Sequence, residues 1–149
     1  MKFEYSVLEA ADIDEAYALE AECFSRPWKR KDFEDAVENS GLYLFMKARG
    51  DDGSYAAQAG LIISYDTADI TNVAVASCFR RQGIAAALLQ RLMEAGRERG
   101  VKYFTLEVRS LNEPAIRLYE SLGFAKEGTR KGFYRDPEDD ALIMWKRDE

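Results

Sequence analysis

Histidine is absent from this 149-residue chain. Its absence excludes serine–histidine and cysteine–histidine nucleophile pairs, and with them any histidine metal site. Cysteine is scarce as well. Cys23 and Cys78 sit in no metal-ligand spacing and are expected to be reduced, packed thiols, so no metal is expected. No window approaches the roughly eighteen uninterrupted apolar residues of a membrane-crossing helix. The opening "MKFEYSVLEAADIDEAY" acquires acids too early for a signal peptide, so a cytoplasmic location without membrane association is expected. Positive charge is in deficit, 21 Lys and Arg against 27 Asp and Glu, for a formal net charge of −6. Nucleic-acid binders normally present a basic face, so direct nucleic-acid binding is not expected. An acidic balance suits encounter with a basic protein or peptide.

What remains is ordinary globular material. With 47% hydrophobic and 32% charged residues and no repeats or internal linkers, one domain over residues 1–149 is predicted, large enough for a sizeable core. "FEYSVLEA" alternates like a first strand. Asp12 or Asp14 can cap the following helix, with Ile13, Ala16 and Tyr17 on its inner face. "FSRPW" interrupts it, and "KRKDFEDAVEN" reads as a second short helix. "LYLFMKAR", the turn cluster "GDDGS" and "YAAQAGLIISY" are a hairpin signal. "DITNVAVA" is a buried strand, apolar at Ile70, Val73 and Val75. The next helix carries Ile84, Leu88, Leu89, Leu92 and Met93 on one face and ends at Gly100, before the strand "VKYFTLEV". Asn112 caps "EPAIRLYESL" and Gly123 closes it, while "FAKEGTR" and "ALIMW" supply the last strands. The order βααβββαβαββ predicts an α/β fold, a mixed and largely antiparallel central sheet with helices on both faces.

Against the overall acidity, one junction concentrates positive charge. "FRRQGIAAALLQRL" places two arginines and Gly83 directly before an apolar helix. A helix start already carries unpaired N–H groups and the positive end of the macrodipole, so added cations there are unfavourable unless something strongly negative shares the site. A phosphate loop needs N–H groups aimed at the ligand and, at closest approach, a residue without a side chain, which Gly83 supplies. Neither a P-loop nor a dinucleotide fingerprint is present. The plainer alternative is a tight strand-to-helix turn flanked by solvated arginines.

In "LEVRSLNEPAIRLYESLGF", alternation puts Thr105, Glu107 and Arg109 on one strand face and Phe104, Leu106 and Val108 on the other. Glu107 thus lies near the carboxyl end of a strand, where open α/β sheets place their ligands. Tyr119 shares a helix stripe with Ala115, Ile116 and Leu122. Each has a purely structural alternative. Glu107 could pair with Arg109 or a neighbouring strand, and Tyr119 could be a core tyrosine with its hydroxyl tied to backbone.

The pattern [R/Q]-x-x-G-x-[G/A] after a strand, opening an Ala/Leu helix, resembles the acetyl-CoA pyrophosphate loop of the GCN5-related N-acetyltransferases (the GNAT family). "LEV" followed by N-x-x-A-x-x-L-Y-x-x-x-G-F is similar to the RimI-type ribosomal-protein alanine N-acetyltransferases within it. "FSRPWKRKDF" resembles their Pro-Trp substrate loop, "NVAVASCFRRQGIA" their cofactor segment, and "RKGFYRDPEDDALIM" their tyrosine-bearing loop and final strand. The matched blocks span most of the chain in order. The resemblance implies acetyl-CoA as co-substrate, held by Val73, Ala74 and Val75, by Arg81, Gln82, Gly83, Ile84, Ala85 and Ala86, and by Asn112. It implies Glu107 as general base and Tyr119 as general acid, with Trp28 and Tyr134 on the substrate side. The implied substrate is the N-terminal alanine of a small-subunit ribosomal protein, whose basic N-terminal segment would suit the acidic turn "DPEDD"; otherwise that turn is simply solvated. Ala85 replaces a second glycine, and Ser77 stands where proline is common. Leu111 stands where a small or polar residue is usual, and Phe133–Tyr134 where the type often has two tyrosines. The last two bear on specificity, not on the chemistry.

Elementary energetics agree with an N-terminal substrate. An α-amino group has a pKa of about 7.7–8.0 against about 10.4 for lysine, so neutralising lysine at pH 7 takes about 3.3 kcal/mol more. Two rivals stay open: a relative acetylating lysine side chains or a small amine, and a non-catalytic acyl-CoA-binding module. Trp28 could instead pack back on a helix. Cys78 is better read as a small thiol than as an acyl carrier.

Overall fold

The computed structural model describes residues 1–148; Glu149, the last residue of the expected domain, lies outside the described residues. Alternating and helical periodicities resolve into β1 (Phe3–Val7), α1 (Ile13–Cys23), α2 (Arg30–Glu38), β2 (Tyr43–Gly50), β3 (Tyr55–Ser64), β4 (Thr67–Val75), α3 (Ile84–Glu98), β5 (Tyr103–Arg109), α4 (Glu113–Ser121), β6 (Ala125–Tyr134) and β7 (Asp139–Arg147). This is the expected element order. The seven strands form one sheet, β1-β2-β3-β4-β5-β7-β6. Only β4 and β5 run parallel; every other neighbouring pair is antiparallel.

Strand alternation places helices on both faces. Leu44, Met46 and Ala48 of β2 join Leu88, Leu89 and Leu92 of α3 in the larger core, which also takes Phe104, Leu106, Val108 and Tyr119. Phe45 faces the opposite way, into a smaller core with Ile13 and Ala16 of α1 and Phe33 and Ala36 of α2. Helix α3 comes close to the sheet at Gly96, where a Cβ would meet Leu61 Cδ1 at 2.9 Å.

Three details of α1 and its surroundings depart from expectation. Tyr17 is exposed, its ring under the Arg30 guanidinium at 5.2 Å, because the buried stripe continues instead through Leu19 and Glu20. Asp12 occupies the cap position but makes no side-chain cap bond to α1. Its buried carboxylate is taken by Lys47, by Arg49 at 3.0 Å and by the Glu9 N–H at 2.9 Å. Of the two thiols, Cys23 is half-buried and reaches the Val75 carbonyl at 3.7 Å, whereas Cys78 is exposed rather than packed.

One irregularity positions everything that follows. β4 and β5 pair only over Thr67–Asp69 and Tyr103–Thr105. Beyond that point β5 stays with β7 through Arg109, while β4 stays with β3. The β3–β4 register shifts between Gln58 and Gly60, and opposite that shift Asn72 holds φ +55°. Such a bulge bends and over-twists its strand. The sheet therefore opens between β4 and β5.

Candidate active site

The opening between β4 and β5 leads into a cavity of about 890 Å³. Because two strands part there, both faces of the sheet contribute to its walls. Glu107 and Arg109 arrive from one face of β5, and Tyr119 of α4 from the side of the larger core. Val73, Asn112 and Tyr134 line the same space. Five of the residues singled out in the sequence thus meet around one cavity: Glu107, Tyr119, Val73, Asn112 and Tyr134.

The Glu107 carboxylate receives Arg130 Nη1 of β6 at 3.2 and 3.3 Å. A partly exposed pair of this kind is worth at most about 1 kcal/mol and is easily exchanged for another partner. Arg109 does not pair with Glu107. It donates to the carbonyls of Pro137 (2.6 Å) and Arg135 (2.9 Å) and lies over the Tyr134 ring at 4.4 Å, so it holds the β6–β7 turn and its tyrosine in place. Burial pushes the Tyr134 phenol up, Glu107 and Asp139 reinforcing and Arg109 opposing.

Tyr119 is only 7% exposed. Burial, with the Tyr134 charge adding, pushes its phenol up to about 12, so it keeps its proton at neutral pH. Among the described residues its hydroxyl has no hydrogen-bond partner. The backbone tie that would make it a purely structural tyrosine is not there. Asn112 caps α4 through Oδ1, accepting from the Ala115 N–H at 3.3 Å, and lines the cavity as well.

Other residues carry signals too weak to read in sequence. Asp69 is a lone acid in an apolar strand, yet it lines the cavity at the point where β4 and β5 part. Burial raises its pKa, and the nearby Glu107 charge adds to the effect. Arg26 and Asp136, 110 positions apart, pair at 2.9 Å across the rim. Trp28, by contrast, is not on the cavity wall. It packs against Phe33 and Phe45, each at 5.2 Å between ring centroids, and the cavity rim comes instead from Phe24, Ser25 and Arg26 just before it.

The glycine loop lies outside the cavity lining, at the start of α3. Arg81, Gln82 and Gly83 are exposed, Ile84 is buried as a core anchor, and Ala85 and Ala86 are half-buried. Arg81 (φ +64°) and Gly83 (φ +76°) both take left-handed conformations that curl the loop. The first backbone bond is Ala87 N–H to the Gly83 carbonyl at 3.1 Å, so the N–H groups of Ile84, Ala85 and Ala86 have no acceptor within the helix. Arg80 and Arg81 form no ion pair among the described residues. Ala74 is buried in β4, and the Val75 carbonyl is taken by Arg80 Nε at 3.1 Å.

The acetyltransferase (GNAT) family model matches residues 13–124 of this chain. The chain belongs to the GNAT acetyltransferase family. The [ribosomal protein bS18]-alanine N-acetyltransferase of Escherichia coli is 38% identical over 141 residues, covering 93% of each chain. The crystal structure of the ribosomal-protein-S18-alanine N-acetyltransferase from that organism is similar with a TM-score of 0.88 at 36% identity, covering 98% of this chain and 94% of that one. Ard1 from Thermoplasma volcanium follows with a TM-score of 0.87 at 25% identity, covering 99% and 98%.

Acetyl-CoA, the acyl donor of a GNAT acetyltransferase, fits what this chain presents. Past Asp69 the β4 edge facing β5 has no strand partner among the described residues, which suits backbone pairing by an extended ligand arm. A Cβ built on Gly83 would meet nothing within 4 Å beyond its chain neighbours, so the position that precedes the N–H groups at the start of α3 is open to a ligand. Arg81, which forms no ion pair among the described residues, precedes that loop glycine, whereas Arg80 is turned back onto the Val75 carbonyl at 3.1 Å and Cys23 at 3.7 Å. A pyrophosphate is the kind of anion that makes the placement of Arg81 favourable.

Proposed function

We propose that this acetyltransferase modifies the N-terminal alanine of ribosomal protein bS18 in the cytoplasm, with residues 1–149 acting as one domain. The observation that carries the reading is the meeting of Glu107 and Tyr119 around one cavity beside an unpaired strand edge. The bS18-modifying relatives support the substrate, and Glu138 of the acidic turn, beside Asp136 already paired with Arg26, would meet a basic N-terminal segment.

In this reading the co-substrate supplies an activated acetyl thioester, and the chain supplies position and protons. Backbone N–H groups at the start of α3 and the Arg81 side chain hold the pyrophosphate. The Val73–Val75 edge holds the arm, and one of its N–H groups polarises the thioester carbonyl. Glu107, freed from Arg130, takes a proton from the substrate ammonium through water. The neutral amine then forms the C–N bond as the C–S bond breaks. Tyr119, protonated throughout the physiological range, gives its proton to the leaving thiolate and is reprotonated through water by the second proton that the new amide nitrogen loses.

CoA release from acetyl-CoA, followed with a peptide panel, tests this directly. Turnover is expected with a peptide beginning Ala-Arg. It is not expected with the same peptide N-terminally blocked and bearing a free lysine, nor with polyamines; turnover on those alone would overturn the substrate assignment. Tyr119→Phe should lower kcat by about 100-fold with little change in CoA affinity, measured by calorimetry. Gly83→Val adds a side chain where φ is +76°, a strain of about 1–2 kcal/mol, and fills the space above the α3 start. Its KM for acetyl-CoA should rise by about tenfold or more, with the peptide KM unchanged.

A further inference from the structure

Glu20 is a carboxylate at 3% exposure that the proposed chemistry does not use. No cation pairs with it among the described residues. A buried carboxylate without a counter-charge is expensive unless hydrogen bonds hold it, and three N–H donors do so here. Oε2 accepts from Asn72 Nδ2 at 2.8 Å and from the Trp28 main-chain N–H at 3.3 Å. Oε1 accepts from Gln58 Nε2 at 3.3 Å.

Each donor belongs to a different part of the site. Asn72 is the residue at φ +55° in the β4 bulge, next to Val73, and both line the cavity. Trp28 ends the α1–α2 connection, whose preceding residues Phe24, Ser25 and Arg26 form the rim. Gln58 sits in β3 opposite the bulge, itself fully buried and fixed by Tyr55 and the Ala16 carbonyl. The same last turn of α1 touches β4 a second time, through Cys23 and the Val75 carbonyl at 3.7 Å.

We propose that Glu20 is a positioning residue for acetyl transfer, one carboxylate that sets the bulged donor edge of β4 and the substrate-side connection in a single mutual geometry. Oε2 is the shared point: a shift of Asn72 moves the Val73 edge, and a shift of Trp28 moves the rim. Misplacement of reacting partners by about 1 Å can lower rates by about 100-fold, so a tie of this kind acts on turnover and on peptide binding together. The inference rests on the acetyltransferase reading above.

Three variants test it. Glu20→Met keeps the volume and removes all three acceptor contacts; its fold is checked by circular dichroism and Tm. Its kcat for the Ala-Arg peptide should fall by about tenfold and its peptide KM rise by about fivefold. The calorimetric Kd for CoA should change less than kcat, by about threefold at most, because the shifted β4 edge weakens only the arm contact and the start of α3 keeps the pyrophosphate. Glu20→Gln can keep a carbonyl oxygen at the Oε2 position, so it should recover activity to within about threefold of wild type. Asn72→Gly retains the left-handed backbone and loses only the side chain. It should reproduce the kcat loss without the KM change. A folded Glu20→Met enzyme with wild-type kcat and peptide KM overturns the proposal; should that variant not fold, an unchanged kcat in Asn72→Gly does so. Wild-type enzyme silent on the Ala-Arg peptide would instead overturn the substrate reading.

Discussion

Glu107→Gln should lower kcat for an alanine-terminated peptide by about 100- to 10,000-fold while leaving CoA binding intact, the range expected for loss of a general base. Glutamine keeps the shape and can still meet Arg130, so the 3.2 Å contact to β6 changes character without a cavity forming. The variant must then rely on amine that is already neutral. With an α-amino pKa near 8, the neutral fraction rises by about tenfold between pH 7 and pH 9. The residual rate of Glu107→Gln should follow that rise, whereas wild-type enzyme should change less over the same interval. Steady-state kinetics across this range, with calorimetry for CoA, reads both effects. A variant with wild-type kcat would remove Glu107 from the chemistry and direct attention to Asp69, the other carboxylate on the cavity wall.

Asp12→Ala should be the most destabilising single change considered, by about 3–5 kcal/mol. Asp12 is the partner of Lys47, whose side chain is 10% exposed and whose only other acceptor among the described residues is the Val7 carbonyl at 3.5 Å. Removing the carboxylate leaves that ammonium buried and uncompensated. Arg49 is less affected, because Glu15 still holds it at 2.8 Å. At this chain length the change corresponds to a Tm lower by roughly 10 °C, measured by thermal denaturation. Asp12→Ala combined with Lys47→Met should recover much of the loss, since an apolar replacement of a buried pair is often tolerated.

The same group sets an acid limit. Burial by itself would raise the Asp12 pKa, but hydrogen bonds from Lys47, the Glu9 N–H and Arg49, with the Lys47 charge, hold it below the usual carboxylate range. A folded-state pKa below the unfolded value means the contribution is fully present above pH ~4 and disappears as pH falls through the folded value. Wild-type stability should therefore drop more steeply than that of Asp12→Ala in that acid window.

Element order, the two-faced sheet and the larger core could all be read from the chain, because periods of 2.0 and 3.6 are local properties of sequence. The α3 face from Ile84 to Met93, the Asn112 cap and the alternation that sends Glu107 away from Leu106 and Val108 are of this kind. Charge placement before α3 was equally local, and so was the absence of histidine that removes whole classes of catalysis. Where periodicity does not decide between neighbours, tertiary context did: Tyr17 turned outward under Arg30, and Asp12, at the cap position, gave its carboxylate to Lys47. Trp28 went into the smaller aromatic core, while the less conspicuous Phe24–Arg26 segment took the rim.

The cavity itself is a tertiary fact. Glu107 and Tyr119 lie on opposite sides of the sheet, and no local pattern brings opposite sides together. They meet because β4 keeps its bond to β3, β5 keeps its bond to β7, and the bulge at Asn72 separates the two. Sequence alone determined which groups were available and, along β5 and α3, which face each would take. The parting of two strands, fixed by partners far away in the chain, decided which of them share a space.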